Sequence, residues 1–397
     1  MEIVQVAILE VVVYNIDYGL NVRKGRYRMR TETEVLDHFT INYPLENIAP
    51  LEKILFLDIE TTGFQAVSSF LYLIGVAYHE NGEWHLIQWL ADTYEEEKTV
   101  IQAFFQFSAG FTHLFHYNGN NFDLPFILQK CATHGFSYDF DKFAGIDLYR
   151  RITPYRERLG LANCKQKTIE KYLKVKRLDV YDGGDLISVY HDYVSSPSDE
   201  GLYMMLLHNS SDIKGMMEIV PILAYHDLFN GKLKARKVQA NYFTDVRGKS
   251  KNMLYMKLLL PAELPMPFSF NNNKCYFKYE KAENEAGEGY LAVPIYEEDM
   301  KYFYANYREY YYLPAEDMAF HKTISAYVDK EFREQATAAN CYTRKSGTFL
   351  PQWDIFAEPF FKRDYESKEL FFEITDELKR DREFFSEYAS HVLNAMK

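Results

Sequence analysis

The sequence predicts an α/β fold in which a mixed sheet is flanked by helices, with a smaller C-terminal α+β accessory domain. Three strand-like runs, at 52–60, 72–79 and 84–91, follow one another across short turns and predict an antiparallel meander. Strands then alternate with helix-like segments as far as about residue 228, which is typical of a sheet covered by helices. Beyond that point the alternation gives way to further strands.

The elements of the first part are predicted in order by their turn and cap residues. The second and third strands are joined through Glu80-Asn81-Gly82-Glu83, a sequence typical of a tight hairpin. Thr93 is the predicted N-cap of the helix that follows. The strand "THLFHYN" precedes the helix "FDLPFILQKCATHG", which has Pro125 in its first turn and Gly135 at its end. The last helix of this part is predicted over 199–223.

The C-terminal part is predicted to contain the strands "NMLYMKLLLP", "CYFKYEKA" and "GYLAVPIY". Helices are predicted over 317–341 and in the last segment from Asp376. The resulting division is a strand-rich extension over 1–50, a first domain over 51–228 and an accessory domain over 229–397, which could bind nucleic acid.

Composition indicates a soluble, cytoplasmic globular protein. Hydrophobic residues make up 47% of the chain, but no apolar run approaches the ~18 residues of a membrane span. The apolar start carries Glu2 and Glu10, so it predicts a strand and not an export signal. The four cysteines lie far apart without metal-ligand spacing, which is typical of reduced thiols.

Charge is unevenly distributed along the chain. The net charge is −12, whereas 229–280 holds ten Lys or Arg and three acids. "GKLKARK" and "RGKSKNMLYMK" lie in this basic segment, interleaved with Tyr242, Phe243 and Tyr255. Such a mixture suits phosphate contact and base stacking on a single strand. The alternative is a solvated loop next to an amphipathic strand.

Two carboxylates end the first strand, in "FLDIETTGF". Residues two apart on a strand point to the same side, so Asp58 and Glu60 project together. Two adjacent carboxylates raise each other's pKa unless a cation lies between them. Mg²⁺ and Mn²⁺ prefer oxygen ligands. The alternative is a pair of solvated acids at a strand edge.

Two further segments carry the remaining candidate residues. In "FHYNGNNFDLPFIL", Asp123 begins a helix just after a strand and a turn, where an α/β sheet presents residues to a crevice; it could equally be a helix cap. In "LLHNSSDIKG", His208 and Asp212 are four apart and share one helix face. Asp212 could complete a metal site and His208 could remove a proton. The pair could also be an ordinary surface pair.

Taken together and in this order, these segments resemble the three motifs of the DEDD-type 3′-5′ exonucleases, which have a ribonuclease H-like fold. Within that superfamily the chain resembles the YprB-like predicted exonucleases. "YNGNNFDLPFI" is also similar to the proofreading domains of family B DNA polymerases, and "YLIGVAY" and "NCKQKTIEKYL" extend the match. The resemblance covers about residues 51–228.

The resemblance implies a catalytic site with two divalent cations, Mg²⁺ or Mn²⁺. Asp58 would contact both cations, Glu60 and Asp212 the first, and Asp123 chiefly the second. His208 would be the general base, although its spacing of four to Asp212 is the spacing of the tyrosine-using class; histidine usually precedes the last Asp by five residues. The implied substrate-binding residues, beside the terminal nucleotide, are Thr61, Thr62 and Gly63. Asn118 and Phe122 are further candidates for substrate binding; the alternative is that they are a turn amide and a core aromatic residue.

The predicted function is hydrolysis of single-stranded DNA or RNA from the 3′ end by a two-metal mechanism. A non-catalytic nucleic-acid-binding scaffold on the same fold and a structure-specific endonuclease are the alternatives. Asp147 and Asp185 are further acids near strand or loop ends. They are left out of the predicted site because the motif set is complete without them.

Overall fold

The computed structural model of the 397-residue chain describes residues 29–177, 183–244, 250–272, 274–280 and 287–396. The strand predicted at the apolar start of the chain lies outside these ranges. The chain divides into two compact units between Leu223 and Ala224. None of the helices in the described ranges combines the length and apolar character that a bilayer crossing requires.

The described part of the first unit contains a six-stranded mixed sheet and six α-helices. The strands are β1 (Arg30–Leu36), β2 (Ile54–Thr61), β3 (Leu71–Glu80), β4 (Glu83–Leu90), β5 (His113–His116) and β6 (Ala144–Asp147). The helices are α1 (Glu97–Phe107), α2 (Asp123–Thr133), α3 (Leu148–Ile152), α4 (Gln166–Leu173), α5 (Gly183–Ser195) and α6 (Asp199–Glu218). The strand order is β1-β4-β3-β2-β5-β6. Because β2 runs antiparallel to β3 and parallel to β5, the predicted mixed sheet is confirmed.

The predicted hairpin between β3 and β4 is present. Glu80 and Glu83 are cross-strand partners, and the two residues between them, Asn81 and Gly82, have φ values of 53° and 88°. Two-residue hairpin loops of this kind need positive φ at both positions, which Asn and Gly adopt most readily. The local sequence therefore fixes this part of the sheet register.

Thr93 does not cap α1, so this detail of the prediction is wrong. A 3₁₀ turn, Tyr94–Glu96, separates Thr93 from the helix, and the Thr93 side chain makes no capping hydrogen bond. Glu96 Oε2 instead accepts from the backbone N–H of Asp92 at 2.7 Å. The acids of the first turn have tertiary partners too, since Glu97 Oε1 accepts from the N–H of Leu71 at 2.7 Å.

Helix α6 lies unusually close to the sheet at Gly75 of β3. An added Cβ on Gly75 would lie 1.9 Å from Asn209 Oδ1 and 2.6 Å from Ile213 Cδ1. Gly75 is also the cross-strand partner of Asp58. The missing side chain therefore allows α6 to approach the sheet directly beside the first of the candidate carboxylates.

The second unit is mainly β structure. Its strands are β7 (Lys234–Thr244), β8 (Ser250–Leu259), β9 (Phe268–Asn271), β10 (Tyr276–Glu280), β11 (Glu288–Pro294), β12 (Tyr296–Phe303), β13 (Tyr310–Leu313), β14 (Met318–His321), β15 (Glu334–Gln335), β16 (Tyr342–Gln352), β17 (Phe360–Phe361) and β18 (Leu370–Glu373). Helix α7 (Leu223–Asn230) begins where the first unit ends, and α8 (Arg382–Asn394) is the last element. The sheets have the orders β7-β8-β11-β10-β9, β12-β16-β18-β17 and β14-β13-β15.

The predicted strands β8, β10 and β11 and the helix at the C-terminal end are confirmed, but the helix predicted over 317–341 is wrong. This segment contains β14, which pairs with β13, followed by 3₁₀ turns and the short β15. Ile324, Tyr327 and Phe332, which contribute to its helix-like period, are 52%, 89% and 58% exposed. A helix over this segment would need its apolar stripe to be buried, and the stripe is exposed. Pairing of β14 and β15 with β13 therefore determines the conformation of the segment.

We expect Gly75→Ala to lower the free energy of unfolding by about 1–3 kcal/mol, because the new methyl group would overlap Asn209 and force α6 away from β3. Urea unfolding followed by circular dichroism measures the change. Gly110→Ala is the matched control, since a Cβ at Gly110 would meet nothing within 4 Å. Equal stability losses in the two variants would contradict the close-approach argument.

Candidate metal centre

The candidate acids of three distant segments converge at the end of β2. Asp58 and Glu60 lie on β2, Asp123 is the first residue of α2, and Asp212 lies on α6 with His208. His208 Nε2 is 3.4 Å from Asp212 Oδ2 and 4.0 Å from Glu60 Oε1. Glu60, His208 and Asp212 each offer a ligand atom, and these three atoms lie within 4.8 Å of one another.

The electrostatics of the site reflect this convergence. Burial raises the pKa of Asp58 well above its ordinary value, and the charges of Asp212, Glu60 and Asp123 raise it further. Burial also raises the pKa of Asp123 to about 7, with smaller contributions from Asp147 and Asp212, against the lowering effect of hydrogen bonding to the backbone of Asp123 and Ile59. Four carboxylates thus share one small region, and a cation among them would relieve their repulsion.

An amide pair holds Asp58 in place. Asn209 Nδ2 donates to Asp58 Oδ2 at 2.8 Å, and Gln88 Nε2 donates to Asn209 Oδ1 at 2.9 Å and to the Leu206 carbonyl at 3.0 Å. Neither amide is among the residues predicted from the sequence. Gln88 does carry a signal, because it is the polar residue within the apolar run 86–90 of β4 and must find a partner when buried.

Asp212 has a second set of partners from the α4 region. Its carboxylate forms an ion pair with Arg177, whose guanidinium also lies 3.3 Å from Glu170 Oε1. Gln166 Nε2 donates to the Asp212 carbonyl at 2.8 Å and to Glu170 at 3.0 Å. The role of Arg177 is not predicted from the sequence, because the ion pair joins residues 35 positions apart.

Asp147 shapes the turn that precedes α2. It is buried, and its Oδ1 accepts from the backbone N–H groups of Asn118 at 3.0 Å and Arg150 at 3.3 Å. Asn118 has a φ of 60°, so the turn needs such support. Asp147 therefore orders the chain leading to Asp123, whereas Asp185 lies exposed at the start of α5.

The loop after Glu60 is closed by its own hydroxyl groups. The Thr61 hydroxyl donates to the Gly63 carbonyl at 2.9 Å, and the Thr62 hydroxyl accepts from the Phe70 N–H at 2.8 Å. Thr61 and Thr62 thus stabilise the loop conformation. A Cβ on Gly63 would lie 2.6 Å from Ser69 Oγ, so the loop is also tightly packed.

Aromatic residues lie beside this loop and the start of α2. Phe64 is 88% exposed, and its ring centroid is 6.2 Å from that of Phe122, which is half-buried. The Asn118 side chain accepts a hydrogen bond from Asn121 at 2.7 Å. Asn118 and Phe122 are among the residues predicted from the sequence, but Phe64 is not, because its exposure cannot be read from the loop sequence.

The donor set fits a hard divalent cation. Four carboxylates and one imidazole supply mostly oxygen ligands, which Mg²⁺ and Mn²⁺ prefer. The buried Tyr72 hydroxyl, whose pKa is raised by burial and by the charge of Glu60, has no hydrogen-bond partner among the described residues. This orphaned polar atom close to the acids is a further sign that the region suits a polar ligand.

Residues 55–224 match the model of the RNase H superfamily. The first unit therefore contains an RNase H-like domain, and the fold predicted from the sequence is confirmed. No curated protein matches the chain.

Solved structures similar to this chain include nucleic-acid enzymes. The family B DNA polymerase of the archaeon Pyrobaculum calidifontis is 15% identical over 46% of this chain, with a TM-score of 0.37. Exonuclease I of E. coli, in a zinc-bound complex with single-stranded DNA, is 14% identical over 57% of this chain, with a TM-score of 0.25. This chain spans 26% of the polymerase chain and 54% of the exonuclease chain.

We expect Asp58→Asn to raise the free energy of unfolding in EDTA at pH 8 above that of the wild type. The pKa of Asp58 is higher in the folded than in the unfolded protein. The wild type therefore loses stability as the pH rises from the unfolded pKa to the folded pKa. A neutral amide at this position avoids that loss. Urea unfolding at pH 5 and pH 8 measures the difference.

Mn²⁺ provides the second half of this test. At 100 times its Kd a bound ion stabilises the wild type by about 2.7 kcal/mol, and we expect most of this gain to disappear in Asp58→Asn. The exposed Asp185→Asn should behave as the wild type in both conditions. A full Mn²⁺ gain in Asp58→Asn would argue against a cation at this carboxylate.

Proposed function

We propose that this protein is a metal-dependent 3′-5′ exonuclease that hydrolyses phosphodiester bonds in single-stranded DNA or RNA. The observation that carries the proposal is the convergence of Asp58, Glu60, Asp123 and Asp212 beside His208. The match of residues 55–224 to the RNase H superfamily supports the same chemistry. The order of the three motifs supports the DEDD type and a YprB-like subfamily.

The four carboxylates would hold two divalent cations, Mg²⁺ or Mn²⁺. Such cations polarise the phosphoryl group, lower the pKa of water and neutralise developing charge. His208 would take the proton from the attacking water. Its Nε2 faces Asp212 at 3.4 Å, and this carboxylate would stabilise the imidazolium that results.

Residues next to the acids would position the terminal nucleotide. The compact Thr61-Thr62-Gly63 loop and Asn118 offer backbone and amide groups for phosphate and sugar contacts. Phe122 and the exposed Phe64 form an aromatic pair that could stack on a base.

The four cysteines are buried and free of disulfides, in keeping with a cytoplasmic enzyme.

A cleavage assay tests the proposal directly. With 5′-labelled single-stranded DNA and RNA, we expect a ladder that shortens from the 3′ end with Mg²⁺ or Mn²⁺ and none with EDTA. Glu60→Gln and Asp212→Asn should each lower the rate at least a hundredfold, which corresponds to about 2.7 kcal/mol of transition-state stabilisation. Asp185→Asn serves as the control, because its carboxylate is exposed at the start of α5.

Two other outcomes would replace the proposal. Internal cuts would identify an endonuclease using the same acids. Binding without cleavage in either metal would identify a non-catalytic scaffold. The ion pair between Arg177 and Asp212 is the observation that favours the scaffold, because it engages a carboxylate that the enzyme needs.

We expect His208→Ala to lower kcat by about 10²–10⁴, because the attacking water would lose its proton acceptor. The rate at saturating Mn²⁺ and substrate measures this loss. His191→Ala is a suitable control, since this histidine contacts Tyr94 and lies outside the acidic cluster. A loss that excess Mn²⁺ restores would instead identify His208 as a metal ligand.

A further inference from the structure

The five-stranded sheet of the second unit has one buried and one open face. Leu254, Met256, Leu258, Phe277 and Leu291 point to the buried face. Helix α8 contacts the edge strand β7, where the N–H groups of Leu233 and Ala235 donate to the hydroxyls of Ser390 and Ser386 at 3.0 and 2.9 Å. The opposite face is polar, and it needs a separate explanation.

Cross-strand pairing aligns basic and aromatic residues on this open face. One row consists of Lys237, Lys257, Tyr290 and Lys278, which are successive partners across β7, β8, β11 and β10. In the next row Gln239 is the partner of Tyr255. Neighbouring strands lie about 4.8 Å apart, so the four-residue row extends over about 14 Å. We define the open face by these six residues.

A shallow groove follows the same residues. It has a volume of about 420 Å³ and is lined by Lys237, Gln239, Tyr255, Lys257 and Tyr290 together with neighbours on β7 and β8. Lys257 and Tyr290 both contact Glu288, at 2.5 and 2.6 Å, which holds the ammonium group and the phenol ring side by side. Tyr290 nevertheless remains 40% exposed.

We propose that the open face binds single-stranded nucleic acid. Lysines provide phosphate contacts, tyrosine rings provide stacking surfaces, and the Gln239 amide can reach a base edge. Lys237, Lys257 and Lys278 outnumber the two acids beside them on this face, Glu280 and Glu288, and the remaining positive charge complements a phosphate backbone. An acidic protein would satisfy the lysines but would leave the tyrosine rings and the amide without a matching partner.

The structure also corrects which aromatic residues belong together. Tyr255 lies on the open face opposite Gln239, but Tyr242 alternates with Asn241 and belongs to the other face of β7. A bulge between Ala235 and Lys237 shifts the register of this strand. Because residues one apart face opposite sides, the sequence grouping of Tyr242 with Tyr255 is not one surface.

Binding in EDTA tests the open face independently of cleavage. Fluorescence anisotropy with labelled dT20, U20 and a 20-base-pair duplex gives the Kd of the full-length chain. We expect tighter binding to a single strand than to the duplex. Tyr255→Ala/Tyr290→Ala should weaken dT20 binding about tenfold or more, and Lys237→Gln/Lys257→Gln should reduce the slope of log Kd against log salt by about 1.4.

Tyr327→Ala/Lys330→Gln is the matched control, because both residues are exposed outside the five-stranded sheet. If the double tyrosine variant does not fold, Lys237→Glu at the exposed edge strand gives the same readout. Unchanged Kd values in all open-face variants, or stronger binding to poly-Glu than to dT20, would overturn the proposal. Hydrolysis of a dinucleotide, measured in parallel with Mn²⁺, tests the metal centre alone and separates the two proposals.

Discussion

The close approach of α6 to the sheet at Gly75 is the constraint on which the candidate metal centre depends. This helix carries His208, Asn209 and Asp212, and it reaches the acids of β2 only because β3 has no side chain at this point. The chain of hydrogen bonds from Gln88 through Asn209 to Asp58 crosses the same contact. A single small residue therefore aligns two segments that are about 150 positions apart in the sequence.

The acidic site lowers the stability of the fold, because it brings like charges together in a region of low solvent exposure. Burial and mutual repulsion both raise the pKa of Asp58, and an apolar or amide side chain there would stabilise the fold more. The apolar core that includes residues of β2, β3 and α1 offsets this loss of stability, because its side chains are almost completely buried. Buried, mutually repelling carboxylates that lower the stability of the fold are typical of functional sites.

The sequence predicted those parts of the structure that depend on local pattern. The strand β2 with its two acids, the hairpin at Asn81-Gly82 and the helices α2 and α6 follow from periodicity and turn residues. Gly75 and Arg177 could not be identified, because their importance arises from tertiary contacts between distant residues, and the partner of Gln88 could not be read from the sequence for the same reason. The helix predicted over 317–341 was wrong for a related reason, since pairing between β13 and β14 overrides a local helical period.

The ion pair between Arg177 and Asp212 has a consequence for the order of assembly. In small zinc domains the ion itself holds the polypeptide together, so removing it unfolds the chain. Here a guanidinium already balances one of the four carboxylates, and Glu170 fixes that guanidinium from the opposite side. The fold therefore does not need an ion to balance Asp212, so cations bound at this centre would join a chain that is already folded.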